Sequence, residues 1–185
     1  FGIVPGQQGL WPAPKRKAEE LGYRAVSMAV NLKAEASQVG IVLATIAAQV
    51  EAQHHPFVPP VALIGGTEMV VTVGKEAGMG GRNQECALSA AMHIVGRKRI
   101  VFGSVDTDGT DGPGKQFVQG YDDVPVLNGA IVDGTTVPRA EEMGFEVFGE
   151  LKRHNTSPLL FALDDGLEAS PSVSMNDITV ALIQA

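Results

Sequence analysis

The sequence predicts an α/β fold, with helices layered on a mixed, mostly parallel sheet. Three observations carry that prediction. Short apolar runs alternate with longer amphipathic segments along the chain. Between Leu32 and Ala52, apolar residues at Val39, Val42, Leu43, Ile46, Ala47 and Val50 recur at the spacing of one buried helical face. The run Ile100 to Val105 is short, apolar and rich in β-branched residues, and it ends in a turn-forming stretch of Asp and Gly.

Taken in order, Phe1 to Gly9 has neither the basic start nor the apolar core of a signal peptide, and Phe1 is not Met, so the chain reads as cut from something longer. Pro12 and Pro14 precede a helix-compatible run, Lys15 to Leu21, which Gly22 stops. Tyr23 to Val30 has the composition of a buried strand, and the long helix over Leu32 to Ala52 follows. His54, His55, Pro56, Pro59 and Pro60 end that helix and make a stiff connector, the best candidate for a domain boundary.

Beyond the connector, Val61 to Ile64 and Met69 to Val73 read as two strands separated by Gly65-Gly66-Thr67-Glu68. A glycine-rich segment, Gly74 to Gly81, leads into a helix opened by Arg82-Asn83-Gln84-Glu85, with Ala87, Leu88, Ala91, Met92 and Val95 on its apolar face. Gly96 and the basic run Arg97 to Arg99 suit its end. Patterning weakens from Phe117 to Lys152, where short helices are predicted around Leu127 to Ile131 and Arg139 to Met143; Ile178 to Ile183 reads as a closing strand.

Composition narrows the function classes. The 185 residues carry 14 Lys and Arg against 21 Asp and Glu, a net charge of −7, which is the wrong sign for neutralising nucleic-acid phosphates. One cysteine, Cys86, allows neither an intrachain disulfide nor a cysteine metal cage, which fits the reducing cytoplasm. The longest apolar stretch, Gly40 to Val50, is too short and too polar to span a bilayer, so no membrane partner is expected.

Two loops could carry chemistry. The glycine-rich segment opens a helix, and a helix N-terminus presents unpaired N–H groups and partial positive charge to an anion. Arg82 there would add a planar fork for phosphate or carboxylate. The segment matches neither the P-loop, which needs Gly-Lys-Ser/Thr, nor the dinucleotide fingerprint, because Asn83 stands where a third glycine belongs. The alternative is a purely structural turn. Asp106, Asp108 and Asp111 follow a buried strand and could hold Mg²⁺ or orient a hydroxyl or an arginine. Equally, they could serve only to build tight turns at Gly109, Gly112 and Pro113. The spacing fails the calcium-loop pattern, with Gly109 too early and Phe117 where the bidentate Glu belongs. His54, His55 and His93 read as surface residues, Cys86 as a small buried one, and no Gly-x-Ser-x-Gly elbow occurs.

In combination, Gly65-Gly66-Thr67-Glu68, Gly80-Gly-Arg-Asn-Gln-Glu85, Asp106-Thr-Asp-Gly-Thr-Asp-Gly-Pro113 and Gly129-Ala-Ile-Val-Asp-Gly-Thr-Thr136 resemble, in order, the C-terminal MOFRL domain of class II glycerate 2-kinases. The resemblance implies residues 61–185 as a MOFRL-like domain and 1–60 as a remnant of the preceding glycerate kinase domain plus connector. It implies phosphoryl transfer from ATP, with Mg²⁺, to the 2-hydroxyl of D-glycerate in a cleft between two domains. It further implies Arg82, Asp108 and Asp111 as catalytic residues. Gly80, Gly81, Asn83, Glu85, Thr107 and Asn176 would be substrate- or nucleotide-binding, and Asp106 and Asp108 metal-binding. The family's catalytic lysine belongs to the N-terminal domain, so the fragment alone is expected to be inactive. An exposed former domain interface would also favour a homo-oligomer. Family members are often labelled hydroxypyruvate reductases, a label the missing dinucleotide fingerprint does not support. One departure stands out: Glu168 to Met175 is serine-rich where the family has a Thr/Gly loop. It motivates the alternative of a non-catalytic ligand-binding or interaction domain of the same fold.

Overall fold

The computed structural model describes residues 11–74, 77–113 and 118–185. The opening Phe1 to Gly9, Lys75 and Glu76 of the glycine-rich segment, and Phe117 lie outside the described residues. The elements run α1 (Pro12–Glu20), β1 (Arg24–Leu32), α2 (Ala36–Gln53), β2 (Val61–Thr67), α3 (Arg82–His93), β3 (Ile100–Asp106), β4 (Gly129–Asp133), α4 (Thr136–Glu142), α5 (Val147–Lys152), α6 (Thr156–Ala162), β5 (Gly166–Leu167) and β6 (Asp177–Ile183).

Six strands form one sheet in the order β1-β2-β6-β3-β4-β5. The α/β class and the mixed sheet hold, but the sheet is mostly antiparallel rather than mostly parallel: only β1 and β2 run parallel. The reason is β6, which returns from the C-terminal end of the chain to lie between β2 and β3, antiparallel to both. Local patterning carries no information about which neighbours a strand chooses.

Period-two alternation gives the sheet two different faces. Val61 and Leu63 of β2, Ile100 and Phe102 of β3, and Ala181 and Ile183 of β6 face the main core, with α2 and α3. Ala62 and Ile64 point the other way, packing with Ala18 of α1 and the half-buried Trp11 and Tyr23. Helices α2 and α3 approach closely where Gly40 of α2 meets the backbone of Cys86 and Ala90; a Cβ at Gly40 would stand 3.1 Å from the Ala90 nitrogen and closer still to the Cys86 carbonyl.

Two local expectations are corrected. Met69 to Val73 is not a strand, since Val70 makes only an isolated bridge to Glu35 at the start of α2. Leu127 to Ile131 is not a helix: Gly129–Asp133 is strand β4, antiparallel to β3, in keeping with the adjacent β-branched Ile131 and Val132. The short elements α5, α6 and β5 are not distinguishable in the sequence pattern. Among the described residues, no helix is long and apolar enough to cross a membrane.

Candidate functional site

The last residues of β2 and β3 and the first of β6 lie side by side on the core-facing side of the sheet: Thr67 pairs with Asp177, and Asp177 pairs with Asp106. Arg82, the first residue of α3, sits on this polar row. Its Nε donates to Asp177 Oδ2 at 2.6 Å, and its Nη2 donates to Asp177 Oδ1 at 2.8 Å and to Asp106 Oδ2 at 2.6 Å. These bonds fix the guanidinium side-on and use none of the Nη1 donors. Both carboxylates are buried while the arginine side chain is 35% exposed, and Nη1 makes no hydrogen bond among the described residues. The hydrogen bonds to Asp177 push the arginine pKa further up. Burial, reinforced by the neighbouring Asp177, pushes Asp106 up to about 7.

The N-terminus of α3 already holds an anion, and that anion is Asp111. Gly81 at the N-cap has no side chain, so the cap comes from the loop after β3. Both carboxylate oxygens of Asp111 accept from the Asn83 backbone N–H at 3.1 Å, and Oδ2 also accepts from the Gln84 backbone N–H at 2.9 Å. Asn83 and Gln84 add side-chain N–H bonds of 3.2 Å each. Burial pushes the Asp111 carboxyl up, against the pull of these donors. Asn83 is itself fully buried and accepts from the Ser104 hydroxyl at 2.6 Å. Gln84 accepts from the Ser157 hydroxyl at 2.6 Å. Asn83, expected to bind substrate or nucleotide, and Asp111, expected to be catalytic, both point inward: Asn83 joins α3 to β3 through Ser104, and Asp111 joins the first turn of α3 to the loop after β3.

The loop glycines let one loop approach another. A Cβ at Gly80 would stand 2.6 Å from Thr156 Oγ1 and 2.7 Å from the His154 carbonyl, and one at Gly81 would collide with the Asp111 carboxylate. Asp108 forms a turn, its Oδ1 accepting from the Thr110 N–H at 2.9 Å and hydroxyl at 3.0 Å. The Asp108 N–H in turn donates to Asp106 Oδ1 at 3.0 Å. Thr107 ties this loop to the serine-rich one: its hydroxyl accepts from the Met175 N–H at 2.7 Å and donates to the Asn176 carbonyl at 2.8 Å. The Ser172 N–H closes the pair by donating to the Asp108 carbonyl at 2.7 Å.

A cleft of about 570 Å³ opens beside Arg82. Met69, Val70, Val71 and Val73 make an apolar wall, while Gly80, Gly81 and Gly112 are at its rim; Arg82, Glu85 and His154 bring the polar groups. Sequence reasoning places Arg82 and Glu85 here but misses His154 and Asp177 as site residues. The Asn176-Asp177 pair is visible in the sequence, yet only the register of β6 shows that Asp177 meets Arg82.

Comparison with known proteins fixes the family. The sequence profile described as the MOFRL family matches residues 61–176. The chain belongs to the MOFRL family. A glycerate 2-kinase from Pyrococcus horikoshii is 36% identical over 169 residues, covering 91% of this chain and 36% of that protein. A D-glycerate 2-kinase from Thermotoga maritima is 36% identical over 182 residues, covering 98% of this chain and 41% of that protein. The crystal structure of glycerate kinase from Thermotoga maritima superposes with a TM-score of 0.88 at 34% identity, covering 98% of this chain and 41% of that one. This MOFRL chain therefore spans roughly two fifths of the length of the relatives it matches.

Proposed function

We propose that the chain contributes the C-terminal part of an ATP-dependent glycerate 2-kinase site, with residues 1–60 derived from the end of the preceding domain and 61–185 the MOFRL-like domain. Strand β1 and helix α2 share a sheet and a core with the rest, so this remnant is structurally part of the same body. The observation that carries the reading is Arg82, clamped by Asp106 and Asp177 with Nη1 left for a ligand, in a chain whose relatives are named glycerate 2-kinases. A guanidinium held rigidly in this way can bind a phosphate or carboxylate without reorganising as charge develops during phosphoryl transfer.

The residues present do not fit a protein-held metal pair at Asp106 and Asp108. Both oxygens of Asp106 are engaged, by Arg82 and by the Asp108 N–H, and one oxygen of Asp108 is engaged by Thr110. Among the described residues, no group of three or more His, Cys, Asp or Glu could hold a metal ion. In this reading Mg²⁺ accompanies the nucleotide as MgATP, and no step is assigned to it. Asp111 and Asn83 act as positioning residues that hold the first turn of α3, while Thr107 and Asn176 hold the two loops together.

Calorimetric titration of MgATP into the chain and its Arg82→Ala variant tests this. Saturable binding weakened by the substitution supports the reading. No heat from either protein removes the phosphate site from this chain, and the kinase reading would then rest on the full-length parent converting D-glycerate and MgATP to 2-phosphoglycerate. A second reading, a ligand-binding domain without catalysis, is favoured by the serine-rich Glu168 to Met175 loop. Under it, an intact parent carrying the Thr/Gly loop of its relatives stays inactive.

A further inference from the structure

Glu85 stands one turn along α3 from Arg82, so the two residues share a helix face, and both line the cleft. Its side chain is only 5% exposed, and Oε1 accepts from His154 Nδ1 at 2.8 Å. An ionised Glu85 can only accept, so with the carboxylate and a neutral ring this bond takes its hydrogen from Nδ1 and leaves the lone pair on Nε2. Nε2 makes no hydrogen bond among the described residues, and His154 itself lines the cleft. Burial pushes the Glu85 carboxyl up, and the hydrogen bond from His154 pulls it back; Asp111 and Glu35 are the other charged groups acting on it.

The backbone supplies a second, independent observation. His154 follows α5 with φ 55, in the left-handed region where glycine is usual. A side chain there is disfavoured, and non-glycine residues held in this region cluster at functional sites. The strained residue is also the one whose ring a buried carboxylate holds against the cleft.

We propose that Glu85 and His154 form a dyad whose Nε2 accepts the proton of a ligand hydroxyl in the cleft. This rests on the phosphoryl-transfer reading above. In that reaction the hydroxyl O–H bond breaks and the proton goes to Nε2. The freed electron pair on oxygen forms the bond to the γ-phosphorus, and the bond from that phosphorus to the bridging oxygen breaks with its pair leaving on ADP. His154 is the catalytic residue, and Glu85 is the positioning residue that selects its tautomer.

Long-range ¹H–¹⁵N spectra of the chain labelled at histidine and arginine nitrogens read the tautomer directly and follow Arg82 alongside it. The expected result is Nδ1–H with a bare Nε2 at neutral pH, lost as a preference in Glu85→Gln, whose amide can donate or accept, and kept in Glu85→Asp. Addition of D-glycerate should move the Nε2 resonance. An Nε2–H tautomer in the wild type overturns the dyad, as does a tautomer indifferent to Glu85→Gln. D-Glycerate that shifts Arg82 but not His154 overturns it as well. If D-glycerate shifts neither, the kinase reading loses its substrate in this chain, and the tautomer alone decides the dyad.

Discussion

Asp111 caps helix α3 from outside the helix: both its carboxylate oxygens accept from the backbone N–H of Asn83 at 3.1 Å, across 28 positions of sequence. The negative group that a helix N-terminus attracts is thus built into the fold. Truncation would leave buried N–H groups of Asn83 and Gln84 without acceptors, at about 1–3 kcal/mol. Asp111→Ala is therefore expected to lower the unfolding free energy in urea by that amount, with Asp111→Asn, which keeps one carbonyl acceptor, losing less. Equal losses in the two variants would count against the cap.

Arg82 separates two buried carboxylates, so its removal acts on stability as well as on binding. Breaking a buried pair leaves uncompensated charge, and about 3 kcal/mol is expected for Arg82→Ala, the low end for such pairs because part of the guanidinium stays in water. Arg82→Lys keeps a charge but cannot reproduce the side-on contact with Asp177. Thermal unfolding should rank wild type above Arg82→Lys, and Arg82→Lys above Arg82→Ala.

Asp106 gives a pH signature. Its carboxyl is raised from 3.8 to about 7, first by burial and then by Asp177. Between those values the native state binds a proton that the unfolded chain has released, so stability falls as pH rises through the window and levels off above it. Asp106→Asn cannot ionise and should show a flatter profile. Unfolding midpoints at about pH 5 and about pH 8 will check this: the variant should gain on the wild type at the higher pH.

The crossing of α2 and α3 at Gly40 leaves no room for a side chain, because a Cβ there would run into the Cys86 carbonyl. Gly40→Leu should therefore destabilise by about 1–3 kcal/mol through overpacking. Cys86 is fully buried and its thiol is pushed up by burial, so it should react with a thiol reagent only at the rate of unfolding. Gly40→Leu should accelerate that reaction; an unchanged rate would mean that the helices part easily.

Much of the molecule is local and legible in sequence. The 3.6-residue spacing from Val39 to Val50 predicts α2, and the apolar run at Ile100 predicts β3, because burial of one face is written residue by residue. Arg82 at the start of a helix after a glycine-rich loop is likewise legible, since helix start signals lie within a few residues. Strand β4 reads as helix because five residues hold too little periodicity to separate the two.

Fold class, the position of α3 and the family follow from short-range pattern and ordered motifs. The roles of the polar residues follow instead from long-range pairing. Whether Asp177 meets Arg82 depends on the insertion of β6 between β2 and β3, and whether Asp111 faces a ligand or a helix end depends on how the loop after β3 packs on the start of α3. The same holds for His154, which reaches Glu85 across 69 positions. A charge bears no mark of its partner until long-range pairing brings the two together, and burial then makes that pairing obligatory.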